Sequence, residues 1–364
     1  MNAAEIARID GLLREFVDPY LRQSLGEAAA IESVTVSGSR VQIEIALGYP
    51  TGGYESSLRQ ALQAHLASAG VDAGIDLKLR SRLIAHSVQR GLTPLPTIKN
   101  VVAVASGKGG VGKSTVAVNL ALAWAAQGAR VGMLDADIYG PSQPIMLGLA
   151  GQKPGTRDGK RLIPLQAHGV VAMSIGFLVD TEQPMVWRGP MVTSALNQLL
   201  TETDWGDLDY LVVDMPPGTG DIQLTLSQRV PVAGAVIVTT PQDIALADAR
   251  KGLKMFEKVN VAVLGIVENM STHVCSNCGH AEAIFGSGGG ARMAAQYGTE
   301  LLGQLPLDAL IREHADGGTP TVVAEPASTR AEAYFDLARR TAAELARRSR
   351  DRSKVFPKIV VEDT

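Results

Sequence analysis

The stretch "GKGGVGKS", Gly107 to Ser114, places four glycines and two lysines in eight residues. An apolar run, "VVAVAS", precedes it, and a helix-like run, "TVAVNLALAWAAQG", follows. Glycines at this density let successive backbone N–H groups turn inward and approach an anion closely. The start of the following helix adds positive potential at the same place. The spacing fits G-x-x-x-x-G-K-[ST], so the chain is expected to contain a strand, a phosphate-binding loop and a helix in that order. In this reading Lys113 neutralises β/γ-phosphates and the Ser114 hydroxyl ligates Mg²⁺. Gly107, Lys108, Gly109, Gly110, Val111, Gly112, Lys113, Ser114 and Thr115 form the expected nucleotide-binding set.

The rest of the chain agrees with a sheet built around that loop. From Val101 onward, apolar runs alternate with helical ones: "VVAVAS", "RVGMLD", "VVAMSI", "YLVVD", "AVIVTT" and "VAVLGIVEN". Nearly continuous Val, Ile and Leu suit strands buried on both faces of a mostly parallel sheet, so the fold class is α/β, doubly wound. Residues 1–85 read as a separate small α/β unit. It has a helix from Ala3 to Leu21, a strand with Val41, Ile43, Ile45 and Leu47 on one face, a turn at "TGGY", a helix from Ser56 to Ala69 and a short strand at "IDLKL". Two prolines in "GLTPLPTIKN" place a linker at 86–99, before the larger domain at 100–350. The end, 351–364, reads as a charged tail, and the arginine cluster from Arg339 to Arg352 as a solvated helix face.

The net charge of −3 gives no basic footprint for nucleic acid, and no apolar run reaches the length of a membrane span. The first residues lack an apolar signal core, and there are only two cysteines. A cytoplasmic setting, with neither nucleic acid nor membrane as partner, is expected.

Two further motifs carry chemistry. "WGDLDYLVVDMPPGTGD" ends an apolar strand on Asp214 before a Pro/Gly turn, a Walker B arrangement in which Asp214 reaches Mg²⁺ through water. "MLDADIYGPSQP" ends another strand with Asp135 and Asp137. A carboxylate there can approach the γ-phosphate and orient or deprotonate water; the same stretch also reads as a turn rich in Asp, Gly and Pro.

Cys275 and Cys278, in "HVCSNCGH", are three positions apart and can reach one metal centre. Iron–sulfur cubanes are usually held by four thiolates, and a two-fold axis would double this pair to four. Zinc, held by four cysteines across a dimer or with His273 and His280, and a thioredoxin-type redox pair are the other readings.

With these residues assembled, the chain resembles the Mrp/ApbC family of iron–sulfur cluster carrier ATPases, in the deviant-Walker-A group with MinD, ParA and the nitrogenase iron protein. The resemblance covers Asn100 to about Arg348 and rests on "KGGVGKS", "DADIYGPS", "WRGPM", "WGDLDYLVVDMPPGTGD" and "ENMSTHVCSNCG". It implies ATP as the nucleotide and a homodimer in which Lys108 reaches the partner's phosphates. It also implies Asp137 as the water-positioning residue, Asn269 at the adenine edge, and a [4Fe–4S] cluster bridged by Cys275 and Cys278 of two chains. The cluster would come from an assembly scaffold and pass to apo-proteins. Residues 1–85 resemble the small domain often fused to such proteins, with "VDPYL" similar to V-x-D-P-E-L; the turn "GYPTGGYES" lacks the cysteine some members carry, which favours docking or regulation there. A MinD/ParA-like spatial regulator and an electron-transfer ATPase are the alternative functions.

Overall fold

The structure is a computed structural model that describes residues 3–37, 40–179 and 189–348. Trp187 and Arg188 of "WRGPM" and the expected tail at 351–364 lie outside these residues.

The N-terminal unit runs α1 (Ala3–Glu15), β1 (Ile31–Ser37), β2 (Arg40–Leu47), α2 (Glu55–Ser68) and β3 (Gly74–Ser81), with strand order β1-β2-β3. Val41, Ile43, Ile45 and Leu47 are all buried, as the alternation predicts. The expected first helix is six residues too long. Pro19 disfavours helix at Asp18. The Asp18 carboxylate then accepts the N–H groups of Tyr20 (3.0 Å) and Leu21 (2.8 Å), closing a turn instead. Strand β1 was not foreseen from the sequence, because its alternating side chains are only partly buried at a sheet edge.

The larger unit begins with β4 (Ile98–Ser106), so the expected linker overlaps the first strand by two residues. Its earlier part is not free either. Gln89 is buried and donates to the carbonyls of Ser227 (2.8 Å) and Val230 (3.0 Å), while its Oε1 accepts the N–H of Val232 at 2.9 Å. The chain continues through α3 (Lys113–Ala126), β5 (Val131–Asp135), α4 (Gln143–Met146), a small hairpin of β6 (Thr156–Arg157) and β7 (Arg161–Leu162), β8 (Leu165–Ala167) and β9 (Val170–Ser174). Next come α5 (Gly189–Thr201), β10 (Leu208–Asp214), α6 (Asp221–Arg229), β11 (Gly234–Thr239), α7 (Asp243–Lys258) and β12 (Val263–Glu268). A second hairpin, β13 (His273–Val274) and β14 (Ala281–Glu282), leads to α8 (Gly289–Tyr297), β15 (Leu301–Gln304), α9 (Ala309–Asp316), α10 (Thr321–Ala324) and α11 (Thr329–Ala346).

The eight-stranded sheet has the order β15-β12-β11-β4-β10-β5-β9-β8, parallel except for the β8–β9 edge pair. All six apolar runs read from the sequence are strands of it. The strand β4 is central, and order reverses around it, which opens a crevice at the carboxyl ends of β4, β5 and β10. Helix α3 leaves that crevice and is buried over most of its length, with Trp124 stacked on Tyr210 at 4.3 Å between ring centroids.

The far end of α3 carries the N-terminal unit. Gly52 N–H donates to the Gln127 carbonyl at 3.0 Å, and a Cβ at Gly52 would lie 2.7 Å from Gln127 Cα. Arg339, expected on a solvated face, instead donates to the Gly52 carbonyl (3.1 Å) and lies over the Tyr54 and Tyr20 rings at 5.5 and 5.9 Å. Its neighbours behave as expected on an exposed face, Arg340 pairing with Asp336 and Arg348 with Glu344.

Candidate functional site

The loop Gly107–Gly112 sits between β4 and α3, at the sheet's switch point. Gly110 (φ 79°) and Gly112 (φ 77°) adopt the left-handed conformation that turns the backbone into the loop. Gly107 packs against the backbone of Asp248 and Ala249 so closely that a Cβ would overlap it, and Gly112 likewise packs on the Asn269 amide. The amide of Asn269 donates to the Val111 carbonyl at 2.9 Å, so it braces the loop.

Lys113 opens α3 almost fully buried, at 6% exposure. Its Nζ donates to Asp214 Oδ1 and to Ser114 Oγ (3.1 Å), and lies 3.9 Å from Asp137 Oδ2. The parallel register places Asp214 beside Asp135, at matched ends of β10 and β5. Four residues read from three separate motifs (Lys113 and Ser114, Asp137, and Asp214) thus meet in one place. Burial raises the Asp137 carboxyl above its ordinary range, with the Lys113 ammonium acting against this. Burial also raises Asp135, and the Asp214 charge adds to it. Lys108 is partly exposed at the start of the loop, and its carbonyl accepts from Ser106 Oγ at 2.8 Å.

Ser114 and Asp214 offer hard oxygen donors. Mg²⁺ takes one or two such protein ligands and completes its shell from phosphate and water, so the donor set fits that ion. Sequence reading missed Gln143, which is wholly buried and touches both of these residues, and Ser174, whose Oγ donates to Asp135 Oδ2 at 3.1 Å. Their signals in the sequence were slight, a polar residue after a Pro/Gly turn for Gln143 and a strand-ending serine for Ser174.

The cysteines lie apart from the loop, on the β13–β14 hairpin. Cys275 N–H donates to the His280 carbonyl and Gly279 N–H to the Cys275 carbonyl, both at 2.9 Å. Gly279 (φ 71°) supplies the left-handed residue that closes the knuckle. Cys275 is half-buried and Cys278 exposed, both as free thiols. The N–H of Cys278, then that of Asn277, then the Cys278 thiol hold the Cys275 thiol below its usual range. Among the described residues no three His, Cys, Asp or Glu side chains converge to hold a metal. His273 Nδ1 is instead 3.0 Å from the Leu307 carbonyl. Val274 and Ile284 are exposed on the segment that carries the thiols.

Two sequence-family models match the chain. Residues 97–342 match the ParA model, described as NUBPL iron-transfer P-loop NTPase, and residues 6–75 match one described as iron-sulfur cluster assembly protein. The chain belongs to the NUBPL iron-transfer P-loop NTPase family. A relative named iron-sulfur cluster carrier protein from Escherichia coli K12 is 51% identical over 339 residues, covering 93% of this chain and 92% of the relative. One of the same name from Pseudomonas fragi is 60% identical over 278 residues, 76% of this chain and 97% of the relative. Among solved structures, a nucleotide-binding protein from Archaeoglobus fulgidus in complex with ADP is 40% identical, with a TM-score of 0.57, covering 66% of this chain and 93% of that one. The cell division ATPase MinD of Pyrococcus furiosus, 23% identical at a TM-score of 0.51 over 66% of this chain and 97% of its own, shares the fold. The expected doubly wound P-loop fold and the expected family of iron–sulfur carrier ATPases are therefore borne out. No helix among the described residues is long and apolar enough to cross a membrane.

Proposed function

We propose that this NTPase binds and hydrolyses ATP with Mg²⁺ at Gly107–Thr115 and carries a [4Fe–4S] cluster as cargo on Cys275 and Cys278. The observation that carries the reading is the coexistence of an assembled phosphate site and a separate two-thiol knuckle in a chain of this family. A cubane is usually held by four thiolates and one chain offers two, and among the described residues no three His, Cys, Asp or Glu side chains converge to hold a metal. The cluster therefore bridges two copies about a two-fold axis, in a cytoplasmic homodimer that receives it from a scaffold and delivers it to apo-proteins. One exposed and one half-buried thiol at a hairpin tip suit a cargo that must leave; N–H groups aimed at Cys275 favour the thiolate that binds iron. Zinc held with His273 and His280 would crowd four ligands into eight residues, where zinc sites usually draw on two separated segments.

At the nucleotide, Lys113 would turn from Asp214 to the phosphate charge, and Ser114 and Asp214 would hold Mg²⁺, which would supply charge screening at the phosphoryl oxygens. Asp137 orients the attacking water. Lys108 serves the partner's phosphates, and Asn269 contacts the adenine edge as well as bracing the loop.

Two measurements check this. Anaerobic reconstitution of the full chain should give one cluster, four irons by count, per two chains. A full cluster on each monomer, or zinc as the retained metal, would overturn the bridging model. Asp137→Asn should leave ATP affinity near that of the parent and slow turnover by about a hundredfold or more, the usual scale for a lost general base. Unchanged turnover would remove Asp137 from the mechanism.

A further inference from the structure

Gln143 follows the Asp135–Asp137 turn and opens the short helix α4. It is wholly buried. Its side-chain N–H₂ donates to Asp214 Oδ2 at 2.8 Å and to the Ser114 carbonyl at 3.2 Å. Its backbone N–H donates to Asp135 Oδ2 at 3.1 Å. One residue thus joins the Walker B carboxylate, the backbone of the hydroxyl ligand and the turn that presents Asp137. The other end of the same amide, Oε1, is buried without a hydrogen-bond partner. An apolar side chain would fill the space without leaving a buried acceptor unpaired. The amide is therefore explained by what its N–H groups hold.

Asp214 divides its oxygens. Oδ1 faces Lys113, and Oδ2 is pinned by Gln143. A carboxylate fixed at one oxygen presents the other in a set direction, which is how outer-shell donors orient metal ligands. We propose that Gln143 is a positioning residue that aims Asp214 at the Mg²⁺ of the bound nucleotide and keeps it in register with Ser114. This rests on the nucleotide reading above and extends it to a residue outside the phosphate-loop and Walker B motifs.

The test compares the parent with Gln143→Met, close in volume but unable to donate. Gln143→Leu serves the same purpose should the methionine variant not fold. ADP affinity is measured by calorimetry in Mg²⁺ and in EDTA, alongside thermal melting and a kcat and KM series over Mg²⁺ concentration. The Mg²⁺-dependent gain in ADP affinity should fall by about 10- to 100-fold, the range for lost outer-shell partners. ADP affinity in EDTA should stay near the parent's, while the melting temperature should fall by several degrees, because the buried Asp214 Oδ2 loses its donor. kcat should fall at limiting Mg²⁺ and recover in part as Mg²⁺ is raised, with little change in KM for ATP at saturating metal. An undiminished Mg²⁺-dependent gain in a folded variant would overturn the proposal. So would equal losses in Mg²⁺ and EDTA, which mark a merely structural residue. If the parent itself shows no Mg²⁺-dependent gain, the metal assignment of Ser114 and Asp214 fails, and the role of Gln143 falls with it.

Discussion

Lys113→Ala weakens ATP·Mg²⁺ binding by about a hundredfold or more and removes measurable hydrolysis. The lysine supplies the closest cation to the phosphates, and truncating one partner of a buried charged contact costs about 2–5 kcal/mol of binding. The structure adds a second consequence. Lys113 is paired with Asp214, which has no exposed surface, so alanine leaves a buried carboxylate without its cation. Breaking such a pair from one side costs about 3–5 kcal/mol of stability. The two effects separate in Lys113→Ala with Asp214→Asn. Neutralising the aspartate should restore much of the melting temperature, because no uncompensated charge remains. Nucleotide binding should stay weak, because the phosphates still lack their lysine. Calorimetry showing parental ATP·Mg²⁺ affinity in either variant would disprove the phosphate-loop assignment. A double variant no more stable than the single would show that the Lys113–Asp214 pair contributes little to the fold.

The residues of this site were legible in the sequence because each stands at the end of a strand or in a motif with fixed spacing. "GKGGVGKS" must turn between a strand and a helix, and Asp214 ends its strand while Asp137 lies two residues beyond the end of the neighbouring one, which parallel register brings alongside. The six long apolar runs were legible for the same reason, since strands buried on both faces leave no polar alternation to confuse them. What was missed is held by contacts far apart in sequence. Gln143 reaches Asp214 across 71 positions, and locally it is only one polar residue after a Pro/Gly turn. Arg339 looked like one more arginine of a charged helix, yet it meets Gly52 across 287 positions. The strands β8 and β15 escaped notice because they are edge strands of three and four residues, too short for a period to register. The first helix was overextended because its apolar spacing continues through Leu21, while the Asp18–Pro19 turn ends it at Glu15.

Cys275→Ala and Cys278→Ala each abolish stable cluster binding and leave ATP binding intact. Under the proposed dimer, each variant retains one cysteine per chain, two per pair, and two thiolates do not hold a cubane. The hairpin that carries them is exposed at its tip and contributes little to the core, so the melting temperature should move by no more than a surface substitution does, about 0.5 kcal/mol in stability terms. The phosphate loop is a separate element, which is why nucleotide affinity is the internal control. Iron and sulfide counts after anaerobic reconstitution, the visible charge-transfer absorbance and transfer to an apo-protein should all be lost together. Nucleotide-dependent dimerisation can be read on the same samples by sedimentation. If it persists in the cysteine variants, the dimer is held at the nucleotide and the cluster is bound at a pre-existing seam; if it disappears, the cluster itself joins the copies. Either result keeps the thiols as the cargo site. Undiminished cluster delivery by Cys275→Ala would not, since it would mean that iron is held elsewhere and that the knuckle, with its N–H groups aimed at Cys275, serves another purpose.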